Sequence, residues 1–424
     1  MKRISIIGLG KIGQGIAANI LMHGLPVNAV DIDTRLCESF ENGTYDTNEP
    51  GVKECLVDSY KSGQLKLSNQ FSLIKGSDAI IITIPLLVDK QKKILDEPFI
   101  DCVRQIAPYC EKEMVIVIET SMPVGFGRGS VVPALEALGK KHGTDFLLAH
   151  SPERIKSGTM LEQLPRIPKV IGGVSQQAAQ KAYEVYRGFF EAELLFQVES
   201  IEAAEMLKLA GMIYRDINIA LSNQLAQFAH QQGINFTDLI PLINADKEAN
   251  LLQPGIGVGG HCTPVYPYFM IDNFTRAGLD FSIAQEGRKI NDGMAAYAVS
   301  LVRDKVKNKT ALLLGLGFRP NVKEDSLSTT YILNDVLKEA GFDTCVHDVE
   351  YGESEITSKG LKAAKEIYGN RSEVIFLVTM HKEYYGLDLP RLAKDGVRYL
   401  VDGRNAMDKE KVEAAGIVYI GIGR

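Results

Sequence analysis

No block of basic residues, no run of eighteen apolar residues, no Cys-x-x-Cys pair and no low-complexity or short-period repeat occurs in this 424-residue chain. Each absence excludes a class of protein. With Lys+Arg 47 against Asp+Glu 53 and a net charge of -6, the chain lacks the footprint of a nucleic-acid binder, so no nucleic-acid partner is expected. Without a long apolar run there is no membrane span and no membrane partner is expected. The start, Met1-Lys2-Arg3-Ile4-Ser5-Ile6-Ile7-Gly8, passes from a short basic tip straight into a strand and a glycine turn. That is not the architecture of a signal peptide, and the expected location is the cytoplasm. The six cysteines, Cys37, Cys55, Cys102, Cys110, Cys262 and Cys345, are scattered. Their spacing speaks against a zinc site or a secreted disulfide framework; no metal is expected, and most should be buried thiols.

What is present is two α/β patterns around a helical middle, in a chain too long for a single core. Short β-branched runs at Ile4 to Ile7, Val27 to Ile32, Ala79 to Ile84, Met114 to Glu119, Phe146 to Ala149 and Lys169 to Ile171 alternate with helical stretches. This predicts a doubly wound parallel sheet. From Ser200 to Gln232 there is no proline, Gly211 is the only glycine, and Ala203, Met206, Leu207, Ala210, Ile213, Ile217, Leu221, Leu225 and Phe228 recur at helical spacing. Such a spine helix would span roughly 50 Å at 1.5 Å per residue. Its apolar surface is a natural dimerisation face, so a homodimer is expected. A second set of strands begins at Thr310 to Leu314, followed by Thr344 to His347, Glu373 to Val378 and Tyr399 to Asp402. The predicted fold class is therefore α/β, two Rossmann-like doubly wound domains (1–198 and 306–424) joined by a central helical domain (199–305) with a long spine helix.

Gly8-Leu9-Gly10-Lys11-Ile12-Gly13 ends a strand and opens a helix, and Asp31 ends the next strand, 18 residues past Gly13. In this context Gly8 permits a tight turn, Gly10 a close approach of backbone to pyrophosphate, and Gly13 close helix packing. Asp31 can accept from the adenosine ribose hydroxyls and would repel a 2′-phosphate, so NAD is the expected cofactor, with Arg35 softening the preference. The stretch Glu119-Thr120-Ser121-Met122-Pro123-Val124-Gly125 is either a contact for the nicotinamide side or a proline-terminated strand. A second turn, Leu314-Gly315-Leu316-Gly317-Phe318-Arg319-Pro320, has Pro320 at the third glycine position, which argues against a second dinucleotide. Arg319 and the turn Asp402-Gly403-Arg404-Asn405 suit a substrate's nucleotide and diphosphate, because guanidinium forks match phosphate oxygens; Lys323 reads as a surface charge.

Cys262 lies in Gly255-Ile256-Gly257-Val258-Gly259-Gly260-His261-Cys262-Thr263-Pro264. Four glycines leave the backbone bare for a ligand, and Pro254 and Pro264 stiffen the ends. A nicotinamide cofactor alone takes an alcohol to an aldehyde; a thiolate beside it traps the aldehyde as a thiohemiacetal and allows a second hydride to leave, giving an acid. His261 suits a structural hydrogen bond rather than a base, since adjacent residues of an extended loop point apart. Lys208, in mid-helix, either snorkels to solvent or points into a cleft. Glu153, after a strand end, is placed to activate water for thioester hydrolysis.

These motifs, with Glu49-Pro50-Gly51, Thr120-Ser121-Met122-Pro123, Ser151-Pro152-Glu153-Arg154 and Gly317 to Asn321, occur in an order that resembles the UDP-glucose/GDP-mannose dehydrogenase family along essentially the whole chain. Gly-Gly-His-Cys, Ser-Pro-Glu-Arg and Tyr214-Arg215-Asp216-Ile217-Asn218-Ile219-Ala220 look most like the branch that oxidises UDP-N-acetylmannosamine or UDP-N-acetylglucosamine. The resemblance implies oxidation of C6 of a UDP-sugar to a uronate with two NAD. It implies Cys262 as nucleophile, Lys208 as stabiliser of the alkoxide or oxyanion, Glu153 in the hydrolytic step and Thr120 ordering water. The expected cofactor contacts are Gly8, Gly10, Lys11, Ile12, Gly13, Asp31, Arg35, Pro85 and Ser121, and the expected substrate contacts Arg154, Gly259, His261, Arg319 and Arg404. Three positions depart from the family pattern. Tyr266 replaces an aspartate, Met212 an asparagine that would donate to an oxyanion, and the stretch around Ser326 lacks an arginine. Either the chain has its own substrate or it stops at a different oxidation level. A one-step β-hydroxyacid dehydrogenase and a non-catalytic nucleotide-sugar sensor are the competing classes.

Overall fold

The computed structural model describes residues 3–89, 91–155 and 158–424; the basic tip Met1-Lys2 lies outside them. In chain order the strands are β1 (Ile4–Ile7), β2 (Val27–Val30), β3 (Leu65–Ser68), β4 (Ala79–Ile82), β5 (Leu87–Val88), β6 (Ile94–Leu95), β7 (Met114–Ile118), β8 (Phe146–His150), β9 (Lys169–Gly173), β10 (Leu195–Gln197), β11 (Thr310–Leu314), β12 (Asp343–His347), β13 (Val374–Leu377), β14 (Tyr399–Asp402) and β15 (Val418–Gly421). Backbone contacts divide the chain into two compact units, Met1–Gly211 with Tyr268–Gly278, and Met212–Pro267 with Leu279–Arg424.

The first unit holds an eight-stranded sheet in the order β10-β9-β8-β7-β4-β1-β2-β3. Its central strands, Ile-Ser-Ile-Ile, Ala-Ile-Ile-Ile and Met-Val-Ile-Val-Ile, are buried along their whole length. Continuous apolar runs of this kind are what a parallel strand covered on both faces requires. The prediction of a wholly parallel sheet needs one correction. β9 runs antiparallel to β8, with Ala149 opposite Gly173 and His150 opposite Gly172. Strand direction is set by the crossover and by packing, neither of which the period of apolar residues reports. The helix Lys11–Met22 follows β1 and buries Ile16, Ala17, Ile20 and Leu21 against the sheet.

The second unit carries the sheet β12-β11-β13-β14-β15, parallel throughout. Side-chain alternation splits its core in two. Ala311, Leu313, Val374, Phe376, Val401 and Ile420 join one apolar cluster, while Leu312, Leu314, Ile375, Leu377, Leu400 and Tyr419 join the other. A sheet with apolar cores on both faces is doubly wound, and each of the larger side chains contributes about 1.5–3 kcal/mol by leaving water. The spine helix is continuous over Ile201–Gln231. Among the described residues no helix is long and apolar enough to cross a membrane.

Candidate active site

In the first unit the expected cofactor residues gather because β1, β2, β4, β7 and β8 run in one direction, so the segments after them emerge along the same sheet edge. Gly8 has φ +91, a conformation that favours glycine. A Cβ on Gly13 would lie 2.0 Å from the Gly8 carbonyl oxygen, so this helix turn fits only glycine. Around Gly10, by contrast, a Cβ would meet nothing within 4 Å. Gly10 also precedes the helix Lys11–Met22 without a side-chain cap. Bare N–H groups, open space and a helix N-terminus fit a dinucleotide pyrophosphate. Asp31 directly follows β2; its Oδ2 accepts from Leu9 N at 2.6 Å and its Oδ1 from Asp33 N at 2.9 Å. The carboxylate thus shapes the glycine turn.

Arg35 is committed elsewhere. Its guanidinium donates from Nε and Nη2 to Asp33 at 2.9 and 2.8 Å. That pairing offsets the charge that was expected to soften discrimination against a 2′-phosphate. Lys11 is exposed and Ile12 half-buried at the start of the helix Lys11–Met22, and Pro85, in the segment after β4, is exposed. Ile32, placed by the sequence pattern in the strand Val27 to Ile32, lies beyond β2 and is 83% exposed.

The turn after β7 is fastened from three sides. Thr120 donates its hydroxyl to Ile84 O at 2.5 Å, and Asn273 brackets Val124, accepting from its N and donating to its O. Glu205, fully buried on the spine helix, accepts from Gly125 N and Gly127 N at 2.6 and 2.9 Å; burial pushes its carboxyl up to about 7. Ser121 is buried within this turn. One helical turn beyond Glu205, Lys208 is half-buried. Its charge is felt at His150, which burial pushes down to about 3, with Lys169 and Lys208 adding to the effect.

Glu153 is buried, and its Oε1 accepts from Arg154 N and Ile155 N at 2.6 and 2.9 Å. Its Oε2 accepts from Lys169 Nζ at 2.7 Å. Burial alone would raise this carboxyl, but Lys169 and the two backbone N–H groups hold it below its ordinary range. The side chain of Arg154 donates to the Pro168 carbonyl.

The second unit gathers the cysteine loop and the two arginine turns. Asn223 accepts from Gly255 N at 2.9 Å and donates to Asn291, which in turn donates to Asp216. Asn218 accepts from Leu252 N and donates to Asn250 O. The strand of loop leading to Cys262 is therefore clipped twice to the spine helix. Farther along, Gly260, at φ +105, donates its N–H to Ser326 O at 3.0 Å, and a Cβ on Gly259 would collide with Phe318 at 2.7 Å. His261 is exposed and meets the Phe318 ring edge-on. Cys262 is half-buried, and its carbonyl accepts from Val265 N and Tyr266 N, opening the helix Tyr266–Arg276. Tyr266 itself is buried.

On the other side of this loop, a Cβ on Gly255 would come within 3.0 Å of Gly403 O and 3.4 Å of an Arg404 nitrogen. Buried Asp402 accepts from Arg404 N and Met407 N and so shapes the turn that presents Arg404. Arg215 lies within electrostatic reach of Arg404. Two like charges beside bare glycine backbone are suited to an anion. Arg319 differs, because its guanidinium donates to buried Glu324 at 2.7 Å, and Lys323 pairs with Glu355 on the surface. In the second glycine turn Asp348 Oδ2 accepts from Leu316 N and Gly317 N, as Asp31 does in the first, but here the acid is buried against His381.

The expectation that most thiols are buried needs correction. Cys102 and Cys110 are buried, and burial pushes both up to about 12; Cys37, Cys55 and Cys345 are only half-buried. Cys55 and Cys345 still donate to backbone carbonyls.

Comparison with known proteins agrees with this geometry. The family model for the NAD binding domain of UDP-glucose/GDP-mannose dehydrogenases matches residues 2–190, and that for the central domain matches residues 202–293. A UDP-N-acetyl-D-mannosamine dehydrogenase of Pyrococcus horikoshii is 30% identical over 100% of this chain and 99% of its own. The solved structure of a UDP-N-acetylmannosamine dehydrogenase from that organism superposes with a TM-score of 0.88 at 28% identity, covering 100% of this chain and 99% of the other. A UDP-N-acetylmannosamine dehydrogenase structure from Staphylococcus aureus gives 0.85 at 26% identity, covering 100% and 99%. The chain belongs to the UDP-glucose/GDP-mannose dehydrogenase family and is an NAD-dependent nucleotide-sugar dehydrogenase.

Proposed function

We propose that this enzyme oxidises the C6 hydroxyl of a UDP-N-acetylhexosamine, with UDP-N-acetylmannosamine as the first candidate, to the uronate. The observation that carries the reading is the Cys262 loop, whose glycines are clamped between the Phe318 and Arg404 turns. Full-length similarity to enzymes acting on UDP-N-acetylmannosamine supports the choice of sugar.

NAD supplies the hydride acceptor for both oxidations, so that one alcohol, two NAD and one water yield one carboxylate, two NADH and three protons. Gly8, Gly10, Lys11, Ile12, Gly13, Asp31, Pro85 and Ser121 would hold it, and Arg35 acts only through Asp33. Arg404, with Arg215 beside it, would take the diphosphate; Arg154, Arg319, Gly259 and His261 complete the proposed substrate contacts. Cys262 adds to the aldehyde carbon, giving a thiohemiacetal and, after the second oxidation, a thioester. Lys208 stabilises negative charge on the substrate oxygen. Glu153 takes a proton from the hydrolytic water, and Thr120, whose hydroxyl hydrogen is given to Ile84 O, accepts from that water. We further propose a cytoplasmic homodimer formed through the exposed apolar stripe of the spine helix.

The test is NADH formed per sugar consumed across a panel of UDP- and GDP-sugars. Two NADH with a uronate product is the expected result, together with its loss in Cys262→Ser. One NADH per sugar would overturn the thioester route and show that Tyr266 and Met212 had changed the oxidation level.

A further inference from the structure

Lys169 opens β9 in the run Arg166-Ile167-Pro168-Lys169-Val170-Ile171-Gly172-Gly173 and is 3% exposed. In a wholly parallel sheet the start of this strand would lie at the edge opposite the cofactor turns. Because β9 is reversed, its first residue lies at the end of β8, and the register that pairs His150 with Gly172 sets Lys169 opposite Glu153 when continued. The Lys169 ammonium lies 2.7 Å from Glu153 Oε2, donates also to Glu119, and has the Tyr186 and Phe190 rings at 5.3 and 5.8 Å. Glu119 in turn accepts from the Tyr186 hydroxyl.

Burying a carboxylate without a partner drives it to take up a proton, and a protonated Glu153 could not accept one from water. Two backbone N–H groups and one ammonium occupy three of its roughly four lone-pair positions, leaving one lone pair to accept from water. We propose that Lys169 is a positioning residue for the hydrolytic half-reaction, holding Glu153 anionic and in a fixed orientation at the edge where the reversed strand delivers it. The inference rests on Glu153 as the hydrolytic base.

Two carboxylates share one ammonium here, so one of the acids must be the first to take a proton. That acid is Glu119, which burial pushes up to about 7, whereas Glu153 stays below its ordinary range. The other titratable groups facing the cluster are Tyr186, whose hydroxyl burial holds well above its usual range, neutral His150, and Lys208 beyond it. In the step served, the water oxygen bonds to the thioester carbon and one water proton passes to Glu153. The carbon–sulfur bond breaks with its electron pair leaving on Cys262, and the sugar acid is released. Removing Lys169 leaves burial opposed only by the Arg154 and Ile155 N–H groups, so the Glu153 carboxyl rises and the acid limb of activity moves to higher pH.

The experiment compares Lys169→Met, Lys169→Arg and Glu153→Gln, each checked for folding by thermal melting and for NAD binding. The readouts are kcat between about pH 6 and pH 9 and the intact mass of enzyme quenched during turnover. For Lys169→Met we expect kcat at neutral pH to fall at least about tenfold, a smaller loss at high pH, and accumulation of enzyme heavier by the sugar acyl group. Lys169→Arg should restore most of the rate and the wild-type acid limb. A loss that is equal at every pH, or no acyl-enzyme, would overturn the proposal. If Lys169→Met does not fold, Lys169→Gln, which donates hydrogen bonds without charge, is read by the same criteria. Unchanged turnover in Glu153→Gln would sink the assignment of the base itself. An inactive Glu153→Gln beside a fully active Lys169→Met would sink the role of Lys169 alone.

Discussion

Gly10 and Gly13 share one fingerprint, but a methyl group at each should do different damage. At Gly13 the added carbon would collide with the Gly8 carbonyl, so the helix must shift from β1. At Gly10 the carbon finds open space, φ is an ordinary -70, and the space it fills is where the pyrophosphate would approach. Gly13→Ala should therefore lower both the melting temperature and NAD affinity. Gly10→Ala should keep the melting temperature and weaken NAD at least about tenfold, roughly 1.4 kcal/mol. Calorimetric titration beside a thermal melt separates the two; equal melting losses would mean that Gly10 is also a packing residue. Both glycines were legible because their demand is local, a backbone too crowded or too close to a ligand for a Cβ. Arg35 was not, because its pairing with Asp33 depends on rotamers that no motif specifies.

The cysteine loop illustrates the scale of the element. Its glycine content announced a closely approached backbone, but not the two amide clips that hold it to the spine helix. Asn223 is fully buried, and Asn223→Ala would strand the Gly255 N–H and one side of Asn291. The expected cost is about 2 kcal/mol of stability, seen as a lower denaturant midpoint, with kcat falling because the loop base is released. A variant with native stability would show that the clip is dispensable. Asparagines at Asn218 and Asn223 on the spine helix were the signal for this, since a buried amide must find partners. The second glycine turn repeats the first in backbone terms, and only tertiary contacts reveal that its acid is closed on His381.

Across the whole molecule, Tyr214, Leu221, Leu225 and Phe228 leave 55%, 48%, 37% and 62% of their surface exposed along one stripe of the spine helix. A chain that works as a homodimer through this stripe should elute at twice the monomer mass in light-scattering chromatography. Leu221→Asp with Phe228→Asp should shift it to the monomer while each chain stays folded; a wild-type monomer would refute the proposed assembly. By itself the sequence determined the α/β class, the dinucleotide turn and the cysteine loop, because strand periodicity and glycine geometry act over a few neighbouring residues. Only the tertiary structure decided the direction of β9, and with it the meeting of Lys169, Glu119 and Glu153. Strand polarity and burial are settled by residues far apart in the chain, and a lysine opening an apolar run carries no mark of the carboxylates it will meet.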